Sequence, residues 1–147
     1  MSLQQPWAWA VCTGLKPVEN RSWSTNYRGL IAIHASSSRR WINTIRREWD
    51  DLQLDPLVFS YGAIIGTAEL VDIQPVEKVH LPSAEGPLCW IFKGARLLPH
   101  PIPSRGKLQL YRLSEAETEQ VHQQLDQPAP REEDQRLAAW REAIERW

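Results

Sequence analysis

The run Gly14-Leu15-Lys16-Pro17-Val18-Glu19-Asn20-Arg21-Ser22-Trp23, followed by Tyr27-Arg28-Gly29 and His34, gathers cations, a carboxylate, an imidazole and aromatic rings in a short stretch of the chain. Val18 to Trp23 alternates apolar and polar residues, which predicts a strand, and residues two apart on a strand share a face. Glu19, Arg21 and Trp23 therefore point one way, with Glu19 and Arg21 in register for an ion pair. Such a face is either solvated, with a structural ion pair, or lines a wetted cavity, because charge is not tolerated in a small core without a partner or water. Trp7, Trp23 and Tyr27 lie beside Lys16, Arg21 and Arg28 in sequence. A π-face for a base and cations for phosphate are the requirements of a stacking site.

As a binding site, Lys16, Arg21 and Arg28 would meet phosphate or carbonyl oxygens. Glu19 would accept from the exocyclic amine of a base, and Trp7 or Tyr27 would stack on its ring. As a catalytic site, Glu19 would be a general base and Lys16 an oxyanion stabiliser or activated amine. A lysine held by a carboxylate is a proton donor rather than a base, so binding needs fewer assumptions. His34 shares a strand face with Leu30 and Ala32, where it is either a hydrogen-bonded core residue or a contact for the ligand.

The elements that must position these residues are short. Pro6 to Gly14 reads as a helix, with Pro at its start and Gly as its terminator. Ser24 to Gly29 is a turn and Leu30 to Ala35 a second strand. Ser36-Ser37-Ser38 supplies candidate caps for a helix whose apolar face is Trp41, Ile42, Ile45, Trp49 and Leu52. Ala63 to Ile73, Leu88 to Lys93 and Lys107 to Leu113 are further strands, the first with a bulge at Gly66. Ser114-Glu115-Ala116-Glu117 is a capping box opening a helix, and Leu137, Trp140, Ile144 and Trp147 form a last helical stripe. About five short strands with few long helices between them exclude a doubly wound parallel sheet. The expectation is an α+β, mainly β fold: a small, mostly antiparallel barrel with flanking helices. Residues 1–113 would form the barrel domain, and 114–147 an acidic helical extension packed on it.

The chain has 147 residues and a net charge of −1, which hides a gradient: +6 over residues 1–47, −2 over 48–114 and −5 over 115–147. The basic third suits an anionic partner, or else packs near the acidic segments and is compensated by them. No apolar run is long enough to span a membrane, and Met1-Ser2-Leu3-Gln4-Gln5 does not open a secretory leader. Cys12 and Cys89 sit in apolar settings without metal-ligand spacing, so buried free thiols in a cytoplasmic protein are expected. No phosphate-cradling glycine loop, metal cluster, nucleophile elbow or HExxH is present, so neither metal nor cofactor is expected. Oligomeric state is left open.

Ser2-Leu3-Gln4-Gln5-Pro6-Trp7-Ala8, Gly14-x-Lys16-x-x-Glu19-Asn20-Arg21-Ser22-Trp23, Tyr27-Arg28-Gly29 and Ile33-His34-Ala35 together resemble the ASCH domain, a member of the PUA-like superfamily. Ile65 to Leu70, Trp90-Ile91-Phe92 and Leu98-Pro99-His100-Pro101-Ile102-Pro103-x-x-Gly106-Lys107 extend the resemblance over roughly residues 2–113. It implies a PUA-like β-barrel with a cleft beside the first helix, lined by the Gly-x-Lys-x-x-Glu-x-Arg segment, and RNA or a nucleotide-like small molecule as partner. One branch of the family hydrolyses N4-acylated cytidines with a Lys, a Thr three residues later and a Glu. Lys16 matches that Lys, whereas the Thr position is Glu19, so the hydroxyl is missing. Another member type is a ribonuclease. The alternative to a binding module is thus an amidohydrolase or nuclease in which Lys16 and Glu19 are catalytic.

Overall fold

The computed structural model describes residues 1–81, 83–130 and 137–147. Its elements run β1 (Ser2–Leu3), α1 (Trp7–Cys12), β2 (Val18–Arg21), β3 (Gly29–Ala35), α2 (Arg40–Glu48), β4 (Ala63–Pro75), β5 (Leu88–Pro103), α3 (Glu115–Leu125) and α4 (Ala138–Arg146). One five-stranded sheet has the order β1-β3-β4-β5-β2. β1 pairs with β3 in parallel, and the other neighbours are antiparallel.

The architecture is α+β, as the spacing of elements required, but the sheet is not closed into the expected barrel. β1 and β2 are its two edges, and their two and four residues are too short to build a closing ladder. A side chain spans the gap instead: Arg21 Nη2 donates to Ser2 O at 3.1 Å. The strand expected over Lys107 to Leu113 is also absent. Gln109 adopts a left-handed φ of 59° and Leu108 is 92% exposed, so this stretch loops over the sheet without joining it. β5, by contrast, continues through Pro99 and Pro101. Its register with β4 passes from Gly66↔Leu97 to Ile64↔Ile102, leaving both prolines in a bulge where no ladder bond is required of them.

Helix α1 is buried along almost its whole length, with Ala8, Trp9, Ala10, Val11 and Cys12 all in the core. Its close seat on β4 depends on Gly66, where a Cβ would run into Cys12 Sγ. α2 covers the core with Ile42 and Ile45, and α4 with Trp140, Ala143 and Ile144. α3 buries only Val121, against Ile64, Leu98 and Ile102. This helix is held at its ends, by the Ser114–Glu117 capping box and by Arg96, whose guanidinium donates to the carbonyls of Leu125 and Gln127. Both cysteines are buried free thiols, and burial pushes each up from its ordinary value. Among the described residues, no helix is long and apolar enough to cross a membrane.

Candidate functional site

At the end of α1 the chain turns sharply. Thr13 N donates to Trp9 O and Gly14 N to Val11 O, and Gly14 takes the positive φ of 77° that terminates a helix. Lys16 N then returns to Ala10 O at 2.9 Å, which tucks the Lys16 side chain, 5% exposed, beneath the helix. Its ammonium donates to Val18 O at 2.5 Å and to Glu19 Oε2 at 2.9 Å. An ammonium has three protons, so one remains for a ligand. Glu19 sits on β2 opposite Trp90 of β5, and its second oxygen lies 3.4 Å from Arg21 Nη2. The two-residue strand spacing thus brings Glu19 and Arg21 together, and Lys16 completes a row in which one carboxylate lies between two cations.

This row borders a cavity of about 280 Å³ lined by Trp7, Lys16, Glu19, Asn20, Trp41, Ser83, Glu85 and Trp147. The volume is just below the roughly 300–1,000 Å³ of drug-sized ligand pockets and suits a single planar ring system. Three of its walls are indoles: Trp7 lies 6.2 Å from Trp41 and 5.7 Å from Trp147, and Trp41 lies 5.7 Å from Trp147, all edge to face. Lys16 Nζ stands 6.0 Å from the centre of the Trp7 ring. The opposite rim is tied down by Asn20, whose amide donates to Ser83 O and whose oxygen accepts from Glu85 N, both at 2.9 Å.

Of the residues singled out by sequence, Trp7, Lys16 and Glu19 line this cavity, and Arg21 backs it through Glu19. Trp23 lies past the end of β2; its ring packs on Trp90 at 4.5 Å and its carbonyl accepts from Trp90 Nε1. Tyr27 and Arg28 belong to the turn before β3. There Tyr27 Oη donates to Leu30 O, and Arg28 donates to Thr25 O and Tyr27 O and faces Asp72 at 3.7 Å. His34 lies elsewhere, with Nδ1 3.0 Å from Ser2 Oγ and Nε2 2.9 Å from Ser104 O. A carbonyl only accepts, so Nε2 carries the proton and Nδ1 accepts from the Ser2 hydroxyl. Burial holds His34 below its ordinary value, as suits a neutral imidazole, although the bond to Ser104 opposes this.

Asn20, Trp41, Ser83, Glu85 and Trp147 are cavity residues that sequence reasoning misses. Trp41 and Trp147 stand in apolar stripes that periodicity reads as the faces of two helices, with no mark of a ligand site. What separates them from their neighbours is position, since Trp7 opens α1, Trp41 is in the first turn of α2 and Trp147 caps α4. Among the described residues, no group of three or more His, Cys, Asp and Glu is arranged to hold a metal ion.

The family model for the ASCH domain matches residues 1–124, and the chain belongs to that family. It is 25% identical over 127 residues to human activating signal cointegrator 1, an alignment covering 77% of this chain but 22% of that protein. The chain thus spans about a fifth of that relative's length. Its fold is similar to the crystal structure of ASCH from Zymomonas mobilis, with a TM-score of 0.52, 18% identity, and coverage of 89% of this chain and 94% of that one.

Proposed function

We propose that the chain binds RNA or a nucleotide-like small molecule, with one base seated in the cavity of Trp7, Lys16 and Glu19. The observation carrying this reading is the meeting of a spare lysine donor, a carboxylate acceptor and indole faces around a ring-sized space. Lys16 would donate to a ring carbonyl, Glu19 would accept from an exocyclic amine and Trp7 would supply the stacking face. A strand attached to that base has a cationic path nearby. Arg40, Arg46 and Arg47 are exposed on α2, the helix that also carries Trp41, and make no ion pair with any described residue. They would meet phosphates, with an attraction that weakens with salt.

The hydrolytic alternative uses the same two residues. In its favour, Lys16 and Glu19 are in direct contact at the cavity wall. Against it, Lys16 already donates to two acceptors and Glu19 lies between two cations, so neither is free to take a proton.

The test is calorimetric titration with nucleosides, acylated cytidines and short single-stranded RNAs, each mixture then assayed for chemical change. Binding of an unaltered ligand, weakened about fivefold or more by Lys16→Ala or Trp7→Ala, is expected, since a charged hydrogen bond or a stacked base contributes about 1–3 kcal/mol. Absence of binding across the panel, or affinity unchanged from wild type in both variants, refutes the reading. Product that disappears in Glu19→Gln establishes the hydrolytic one.

A further inference from the structure

Helix α4 is fastened to the core by more than one kind of contact. Trp140 is fully buried, its Nε1 donates to Asp55 O at 2.7 Å, and its ring meets Phe59 at 5.0 Å. Ala143 and Ile144 are buried beside it, and Arg146 pairs with Asp51 at 3.0 Å while lying over the Trp49 ring. The core face of the helix is therefore complete without its last indole. Trp147 stays 39% exposed, with its ring against Trp7 and Trp41 at the cavity. The family match ends at residue 124, so this wall comes from a segment outside it.

We propose that Trp147 is a ligand-contacting residue of the cavity, supplying through α4 a second aromatic wall that the planar heterocycle held by Trp7, Lys16 and Glu19 meets edge to face. The inference rests on the reading of that cavity as a base-binding site. Lys16 and Glu19 would read the polar edge of the ring, Trp7 would lie on one side of it and Trp147 would close another. Three indoles inclined to one another by 63–86° offer a face and edges to a flat ring in one orientation, so the added wall contributes to orientation as well as affinity. Trp140 and Ile144 are the buried anchors of α4, and Trp147 is its exposed indole.

Trp147→Leu keeps bulk and removes the π-face, whereas Trp147→Phe keeps a smaller π-face. Both are titrated by calorimetry with free nucleosides and a short single-stranded RNA, beside wild type and Trp7→Leu, with melting temperatures measured in parallel. Expected is a loss of about 2- to 12-fold in Trp147→Leu, the range of one lost edge-to-face aromatic pair, with most of the affinity restored in Trp147→Phe and melting temperatures close to wild type. Binding that Trp7→Leu weakens and Trp147→Leu leaves intact overturns the role of Trp147 while preserving the site. Equal losses in Leu and Phe variants, or losses matched by a fall in melting temperature, also overturn it by assigning Trp147 to packing. If wild type binds none of the probes, the base-binding reading itself falls.

Discussion

Lys16 and His34 are both polar side chains almost wholly withdrawn from water, at 5% and 2% exposure, yet they are accommodated differently. Around His34 every hydrogen-bonding atom of the ring is used, by Ser2 on one side and the Ser104 carbonyl on the other, and Gly106 packs flat against the imidazole. Around Lys16 two acceptors meet three protons, and the surroundings open into a cavity walled by indoles. Saturation, more than burial, separates the two. A buried polar group whose bonds are all made holds a fold together, and one with a bond left over beside an open space is poised for a ligand.

The sharpest way to test that contrast is to disturb the His34 region alone. A Cβ on Gly106 would lie 2.6 Å from both His34 Cε1 and Ser2 Oγ. Gly106→Ala is expected to destabilise the fold by about 1–3 kcal/mol, the usual cost of overpacking, when measured by urea unfolding. Nucleoside affinity at the Lys16 cavity should be unchanged; a parallel loss of affinity would show that the two regions act as one.

A smaller effect is expected from pH. Burial holds His34 below its ordinary value of 6.5, so below that pH the unfolded chain takes up a proton that the folded imidazole refuses. Stability should therefore decline as pH falls from 6.5 towards the lowered value, with His34 contributing a slope of at most about 1.4 kcal/mol per pH unit beside that of the Met1 amino group, which burial lowers from 8.0 to about 5. The urea midpoint of wild type followed from neutral pH downwards checks this, and His34→Gln should flatten the curve over that window. Glu117, held below 4.5 by hydrogen bonds from Ser104 and Ser114, contributes stability above that value and loses it in more acidic solution.

The smallest effect concerns the cavity side. Replacing Arg40 and Arg47 together by alanine should leave stability within about 0.5 kcal/mol, as for ordinary surface positions. Nucleoside affinity should not change, while the slope of RNA affinity against salt on logarithmic axes should become shallower by about 0.7 for each phosphate that is no longer neutralised. An unaltered slope, measured by titration at several salt concentrations, would confine recognition to the cavity.

Much of the fold is legible in the sequence because local rules and tertiary structure agree. The Ser114–Glu117 box starts α3, Gly14 ends α1, and the alternation from Val18 places Glu19 beside Arg21. Legibility fails where one segment's conformation depends on another. Lys107 to Leu113 has the composition of a strand, but Gln109 turns it away from the sheet, while β5 runs through prolines that ordinarily end a strand, because β4 asks nothing of them. Site residues divide in the same way. Trp7, Lys16 and Glu19 are close in sequence and meet at the cavity, whereas Tyr27, Arg28 and His34, also nearby, are carried off by the turn and by β3. Trp41 and Trp147 are far apart in the chain, and their meeting at 5.7 Å has no local signature.

The open seam between β1 and β2 gives the site residues a second burden. β2 is an edge strand of the sheet, and natural sheets guard such edges by keeping them short and charged. Glu19, Asn20 and Arg21 are that guard as well as the border of the cavity. Making this strand apolar to suit an uncharged ligand would remove the guard, so a change of specificity at Glu19 and Arg21 carries a cost in resistance to aggregation.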